Sequence, residues 1–298
     1  MPQTAPAPRH YRTPYHDSAR WTGFPFRDGD IVISTRTKSG TTWMQMICAL
    51  LAFGSADLPA PLTSLSPWLE STFTPRDDMF ATLAAQRHRR FIKSHTPLDG
   101  IPRDERVTYI VVARHPLDMM LSLYHHGANL DLDKIRRVTG ADGIDDVAER
   151  PDPHEAMLAW IDHDMDPGEE LDYLPGIFLH LTDAWARRHE PNVLLVHYDD
   201  LSSDLDGEMR RIAQRLGVEV ADEQWPDLVD AAGFKRMRAR ADELAPDPGG
   251  ILKDSAAFFR DGKAGSGRAL LTAGELAHYR ERTAAMAPAD LLEWLHRD

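Results

Sequence analysis

Cysteine is nearly absent: Cys48 is the one thiol in 298 residues. A lone thiol excludes an intramolecular disulfide and any cysteine-cluster zinc site. Set among Met46, Ile47, Leu50 and Leu51, it reads as a buried core residue. Long apolar runs are missing as well. The longest, Trp43 to Phe53, is too short to span a bilayer, so an integral membrane protein is not expected. Prolines in "MPQTAPAPRHYRTPYH" stand where a secretory leader needs an apolar segment, and the reading is a soluble cytoplasmic protein. Positive charge is in short supply: 34 Lys and Arg against 47 Asp and Glu give a formal net charge of −13. Such a balance lacks the basic footprint of a nucleic-acid binder and disfavours large polyanionic partners. A His-Glu-x-x-His motif and an EF-hand loop are absent, so no metal is expected.

What is present is an ordinary enzyme composition, 42% hydrophobic and 27% charged, with length enough for one large α/β domain or two smaller ones. Residues 1–20, Pro-rich and polar, read as a flexible N-terminal arm ahead of a domain over 21–298. "DIVIST" (30–35), "RFIKSH" (90–95), "VTYIVVAR" (107–114) and "NVLLVHY" (192–198) are short β-branched runs that predict strands. Two of them are almost continuously apolar, as parallel strands covered on both faces require. Trp43, Met46, Ile47, Leu50 and Leu51 keep the spacing of an amphipathic helix. Pro116 suits a first helical turn, and Ser203 with Asp206 and Thr272 with Glu275 read as capping boxes. Alternating strands and helices predict an α/β fold with a central parallel sheet flanked by helices. Ligands of such sheets sit beyond the carboxyl ends of the strands, where "KSGTT", "KSH", "ARHP" and "HYDD" all fall. Two stretches, 127–175 and 240–268, break the pattern and read as excursions over those ends, where acceptor specificity usually lies.

"STRTKSGTTW" (34–43) joins the first of these strands to the first helix. Unpaired N–H groups and the macrodipole at a helix start favour an anion. Gly40 permits close approach, Thr41 and Thr42 add hydroxyls, and Lys38 adds charge. The unit is P-loop-like without being a Walker A loop, because the lysine precedes the glycine.

The loop resembles the 5′-phosphosulfate loop of cytosolic-type sulfotransferases, which use 3′-phosphoadenosine 5′-phosphosulfate (PAPS). "ARHPLDMMLSLYHH" (113–126) resembles their 3′-phosphate motif, and "FFRDGKAGSGR" (258–268) their late glycine-rich loop. The resemblance runs from about Gly29 to Met286. It implies that Lys38, Ser39, Gly40, Thr41 and Thr42 cradle the phosphosulfate and that Trp43, Phe234 and Tyr198 line the adenine. Arg114, Ser122, Arg260 and Gly262 would hold the 3′-phosphate. His95 would be the general base, with Lys93 on the same strand face, and Lys38 and Ser122 would share catalytic duties. His115, His125, His126 and His180 read as surface, helix-packing or acceptor-pocket residues.

The chain departs from the family pattern in three places. Arg36-Thr37 replaces Tyr-Pro. Asp261, where the family has Lys, would repel a 3′-phosphate, and Ser266-Gly267 replaces Asp-Trp. The C-terminal dimer signature survives only as Arg268 and Thr272, so no oligomeric state is inferred. The expected activity is sulfonate transfer to a hydroxyl, or less readily an amine, of a small-molecule, lipid or glycolipid acceptor. An ATP-dependent small-molecule kinase and a non-catalytic PAPS-binding protein are the alternatives.

Overall fold

A computed structural model describes residues 7–139, 150–247, 250–260 and 262–297. Asp261 and residues 140–149, which belong to two of the sequence expectations, lie outside the described residues. The centre is a four-stranded sheet of β3 (Ile31–Thr35), β4 (Phe91–Ser94), β5 (Thr108–Ala113) and β6 (Val193–His197). Its order is β4-β3-β5-β6 and every pairing is parallel. All four strands fall inside the runs predicted for them.

Alternation along β3 sends Ile31 and Ile33 to one face and Val32 to the other, so the sheet carries a core on each side. On the first face lies helix α1 (Thr41–Phe53), which buries Met44, Met46, Ile47, Leu50 and Leu51. Each such side chain contributes roughly 1.5–3 kcal/mol relative to exposure. Cys48 is buried beside them. The second face is covered by the helices Pro116–Ala128, Pro153–Asp162 and Leu174–Ala186.

The chain leaves β3 towards β4, whereas it leaves β5 towards β6. A crevice therefore opens between the carboxyl ends of β3 and β5, the topological switch point where ligands of such sheets bind.

Three local expectations differ from what is observed. Residues 9–20 are not a loose arm. Arg12–Thr13 (β1) and His16–Asp17 (β2) form an antiparallel hairpin, and the fully buried Tyr11 donates its hydroxyl to Asp99 Oδ1 at 2.7 Å. Proline content obscured this, because the anchoring is by long-range side-chain contact that composition does not encode. The helix Leu205–Leu216 is capped by Asp204, whose carboxylate accepts from Gly207 N, rather than by Ser203. The Thr272–Glu275 capping box is present. The stretch 127–175 also holds more helix than its weak periodicity suggested, including Leu132–Thr139 and Pro153–Asp162.

Candidate functional site

The turn after β3 is held in an uncommon shape. Lys38 has φ +64°, the one described non-glycine residue with positive φ, and Gly40 follows at +105°. A Cβ on Gly40 would come within 3.0 Å of the Tyr198 ring, so glycine is required by both backbone and space. Gly40 is the N-cap of α1 and offers no side-chain cap. The first N–H groups of the helix are thus left for a ligand.

Lys38 Nζ rests 3.7 Å from the centre of the Phe258 ring. Burial, and then the cations of Arg114, Lys93 and Arg260, push its pKa down to about 7. Cations brought together out of water without an anion account for that shift.

Arg114, at the end of β5, closes the other side of the crevice. Its Nη1 donates to Lys38 O and its Nη2 to Lys263 O, both at 3.3 Å, and its guanidinium lies 4.2 Å over the Tyr198 ring. Its Nε–H is buried without a partner among the described residues. Pro116 begins the following helix, and Ser122, two turns on, faces the same cavity.

Arg260 and Gly262 reach that cavity from the late loop. Gly262 has φ +63°, and a Cβ there would meet the Phe234 ring at 2.7 Å. The loop is tied down by Asp118, whose two carboxylate oxygens accept from Gly265 N at 2.7 Å and Gly267 N at 2.6 Å. The sequence reading missed Asp118, although its place in "ARHPLD" beside a binding motif was the available signal. Trp43 donates from Nε1 to Ala232 O at 2.9 Å and meets Tyr198 edge-on at 5.1 Å. With Phe234 these rings form one wall of the cavity.

His95 stands just past β4. Its Nδ1 lies 2.7 Å from the carbonyl oxygen of Thr35. A carbonyl only accepts, so Nδ1 carries the proton and Nε2 keeps its lone pair. The ring packs edge-on to Trp68 at 5.2 Å. Burial first, then the cations of Lys93 and Arg36, hold its pKa well below the usual histidine value. The imidazole is therefore neutral near pH 7.

Lys93 lies 5.0 Å over Trp68, and burial lowers its pKa to about 8 against the opposing pull of Glu70. Glu70 is fully buried and accepts from Trp21 Nε1 at 2.6 Å, from Thr96 Oγ1 at 2.9 Å and from Ser94 Oγ. Both residues flanking His95 are thereby fixed by one carboxylate, a second feature that the sequence reading missed. His180 is buried against Ser34, with its pKa pushed down to about 3, and His115 packs against Tyr279 and His296. His126 instead lines the cavity.

All fourteen residues singled out from sequence cluster around this crevice, thirteen of them lining one cavity of about 760 Å³; Ser39 lies buried in the turn beneath it. Away from the cations, the cavity is walled by apolar groups that include Tyr15, Trp68, Phe73, Leu130 and Ile135. Tyr15 and Phe73 stack on each other at 5.7 Å within that wall. Among the described residues, no three or more His, Cys, Asp or Glu are grouped to hold a metal ion. No described helix is long and apolar enough to cross a membrane.

A doubly wound sheet with a cationic, glycine-shaped cradle at its switch point, and a neutral imidazole beside it, defines a group-transfer enzyme that uses an anionic nucleotide. The sulfotransferase domain family matches residues 28–287, and the chain belongs to it. It is a PAPS-dependent sulfotransferase. A glycolipid sulfotransferase of Mycobacterium bovis is 40% identical over 305 aligned positions, covering 96% of this chain and 93% of that protein. Two solved structures share the fold. Retinol dehydratase with androsterone and the inactive cofactor PAP superposes with a TM-score of 0.67 at 23% identity, covering 94% of this chain and 85% of that one. Mouse sulfotransferase SULT7A1 with PAP gives 0.64 at 19% identity, covering 90% and 87%.

Proposed function

We propose that the enzyme transfers sulfonate from PAPS to a hydroxyl of a glycolipid-type acceptor, with His95 as general base. The observation that carries the reading is the Thr35–His95 hydrogen bond, which leaves Nε2 as a lone pair in the same cavity as Lys38. The 40% identity to a glycolipid sulfotransferase and the apolar half of the cavity support a lipid-like acceptor.

The residues fit PAPS. Arg114 Nε is a buried donor without an acceptor among the described residues, and Gly40 and Gly262 stand where a Cβ would crowd the Tyr198 and Phe234 rings. Lys38, Ser39, Gly40, Thr41 and Thr42 would hold the 5′-phosphosulfate. Arg114, Ser122, Arg260 and Gly262 would hold the 3′-phosphate, for which a guanidinium fork is well suited. Trp43, Tyr198 and Phe234 would line the adenine.

Bound PAPS supplies an activated sulfonate on a phosphate leaving group. The chain's own part is positioning and charge. His95 Nε2 takes the acceptor's hydroxyl proton, and its depressed pKa keeps that lone pair free at neutral pH. Lys38 and Lys93, both deeply buried, bring positive charge to where negative charge develops. The stretches 127–175 and 240–268 serve as covers for the acceptor and cofactor ends. A cytoplasmic setting belongs to the same proposal and accords with a single, buried thiol.

A thermal-shift comparison of adenosine 3′,5′-bisphosphate (PAP) with ATP–Mg²⁺ tests the cofactor. Stabilisation by PAP alone is expected, and stabilisation by ATP–Mg²⁺ alone would favour a kinase. Incubation of PAPS with a panel of glycolipids, sterols and phenols, read by mass spectrometry for added sulfonate, tests the acceptor. Sulfation confined to sterols and phenols would overturn the glycolipid class.

A further inference from the structure

Arg36 and Thr37 have no part in the transfer as described, yet both are held tightly. Arg36 directly follows Thr35, the residue whose carbonyl fixes the His95 ring. Its side chain is only 6% exposed. One guanidinium arm, Nη1, donates to the main-chain oxygen of His95. The other, Nη2, donates to Asp172 Oδ1 at 2.8 Å, and Thr37 N–H donates to the same oxygen at 3.3 Å. Two consecutive residues thus grip His95, Thr35 by the ring and Arg36 by the backbone.

Asp172 belongs to the acceptor side of the cavity, where Glu169, Glu170, Leu171 and Tyr173 join it in the lining. Its own carbonyl accepts from Trp160 Nε1 at 3.0 Å, and the next residue, Tyr173, stacks on His163 at 3.8 Å. The segment is thereby anchored at its back to the helix Pro153–Asp162 and at its front to Arg36.

We propose that Arg36 is a positioning residue which, through Asp172, locks the general base and the acceptor wall into one register. The inference rests on the reading of His95 as base. A planar guanidinium can bridge a carbonyl and a carboxylate at once, whereas an ammonium on a flexible stem satisfies one or the other. The pair is largely dry on the arginine side and one-third exposed on the aspartate side, so Arg36 is the charge that depends on its partner for solvation. The charged and titratable groups facing His95 are Lys93 from β4, His16 from the hairpin, and Arg36 with Asp172 behind it. Arg36 opposes protonation of the ring, and by Coulomb's law a carboxylate paired with its guanidinium weakens that field.

The test needs no acceptor. Cε1-labelled histidine NMR, with His95 assigned by the signal lost in His95→Ala, follows protonation of the ring. Hydrogen exchange of residues 163–173 follows the wall, and calorimetry with PAP follows the cofactor end. In Arg36→Gln the His95 titration should move to higher pH, and exchange in 163–173 should rise about 10-fold. Asp172→Asn, at a residue one-third exposed and so less disruptive, should raise exchange similarly, move the titration the opposite way, and leave PAP affinity within about two-fold. Arg36→Lys should restore the titration but not the protection. An unmoved titration with unchanged exchange in both variants would overturn the proposal, as would a loss of PAP affinity in Asp172→Asn matching the loss of protection. Should His95→Ala retain full turnover, the base assignment falls, while the NMR and exchange results still decide whether the clasp exists.

Discussion

The two ends of the cavity are built by different means. The end proposed for the cofactor is made mostly of backbone and strand termini: the α1 N-terminus, Gly40 and Gly262 where no Cβ fits, and Arg114 at the end of β5. The end proposed for the acceptor is made of side chains such as Tyr15, Phe73, Leu130 and Ile135, drawn from the N-terminal hairpin, the segment ahead of the helix Arg76–Ala85 and the stretch 127–175. Sheet geometry dictates the first and leaves little freedom. Loop packing dictates the second, so its contours can change while the fold persists. On that reading the chain can keep the proposed cofactor cradle and still depart from the family pattern at Arg36-Thr37, which line the same cavity.

The largest effect is expected where chemistry alone is removed. His95→Ala should lower kcat/KM for sulfonate transfer about 10²–10⁴-fold while PAP affinity stays within about two-fold, because the ring bonds to Thr35 rather than to the cradle. Comparable losses in both quantities would mean that the two ends are not separable. Next comes Arg114→Lys. It keeps the charge but removes the fork and the buried Nε–H, so calorimetry should find PAP binding weaker by about 10- to 100-fold. Unaltered affinity would remove Arg114 from the 3′-phosphate site.

The same contrast explains what could be read from sequence. All four central strands and the loop-to-α1 unit were legible, because a buried parallel strand and an anion-binding helix start each demand particular residue types at fixed spacing. Lys38, Arg114 and His95 stood out by position at strand ends, and Ser122 by its spacing from Arg114 in the motif that the chain shares with its family. Asp118, Glu70 and Asp172 did not, since each acts across more than 20 residues of chain through hydrogen bonds that no local spacing encodes. The N-terminal hairpin was misread for a similar reason. Tyr11 is buried by Asp99 and Gly100, which are distant in sequence.

Proton linkage sharpens the comparison further. In the free protein the pKa of Lys38 is lowered to about 7 and that of Lys93 to about 8, in both cases first by burial. A lysine with a depressed pKa is partly neutral at pH 8.5, and a bound anion favours its charged form. Binding of PAP at pH 8.5 should therefore take up protons, and affinity should fall as pH rises from 7 towards 9. Calorimetry in two buffers of different ionisation enthalpy reads the uptake directly. Equal heats in both would mean that the lysines stay charged without a ligand.

The smallest effects distinguish backbone-built from side-chain-built walls. Gly262→Ala adds one methyl at φ +63°, aimed at the Phe234 ring 2.7 Å away. The left-handed conformation alone costs an alanine about 1 kcal/mol, which is about five-fold in PAP affinity, and the clash adds to it. Phe73→Ala removes a whole ring from the other end. Phe73 is 36% exposed and, among the described residues, its ring stacks on Tyr15 alone, so its removal leaves no sealed cavity and the fold should hold. Acceptor KM should rise about two- to five-fold, with PAP affinity unchanged, because only part of an aromatic contact is lost. A methyl would then harm the cofactor end as much as a lost ring harms the acceptor end. If Gly262→Ala binds PAP normally while Phe73→Ala abolishes turnover, the assignment of rigid and permissive walls is reversed.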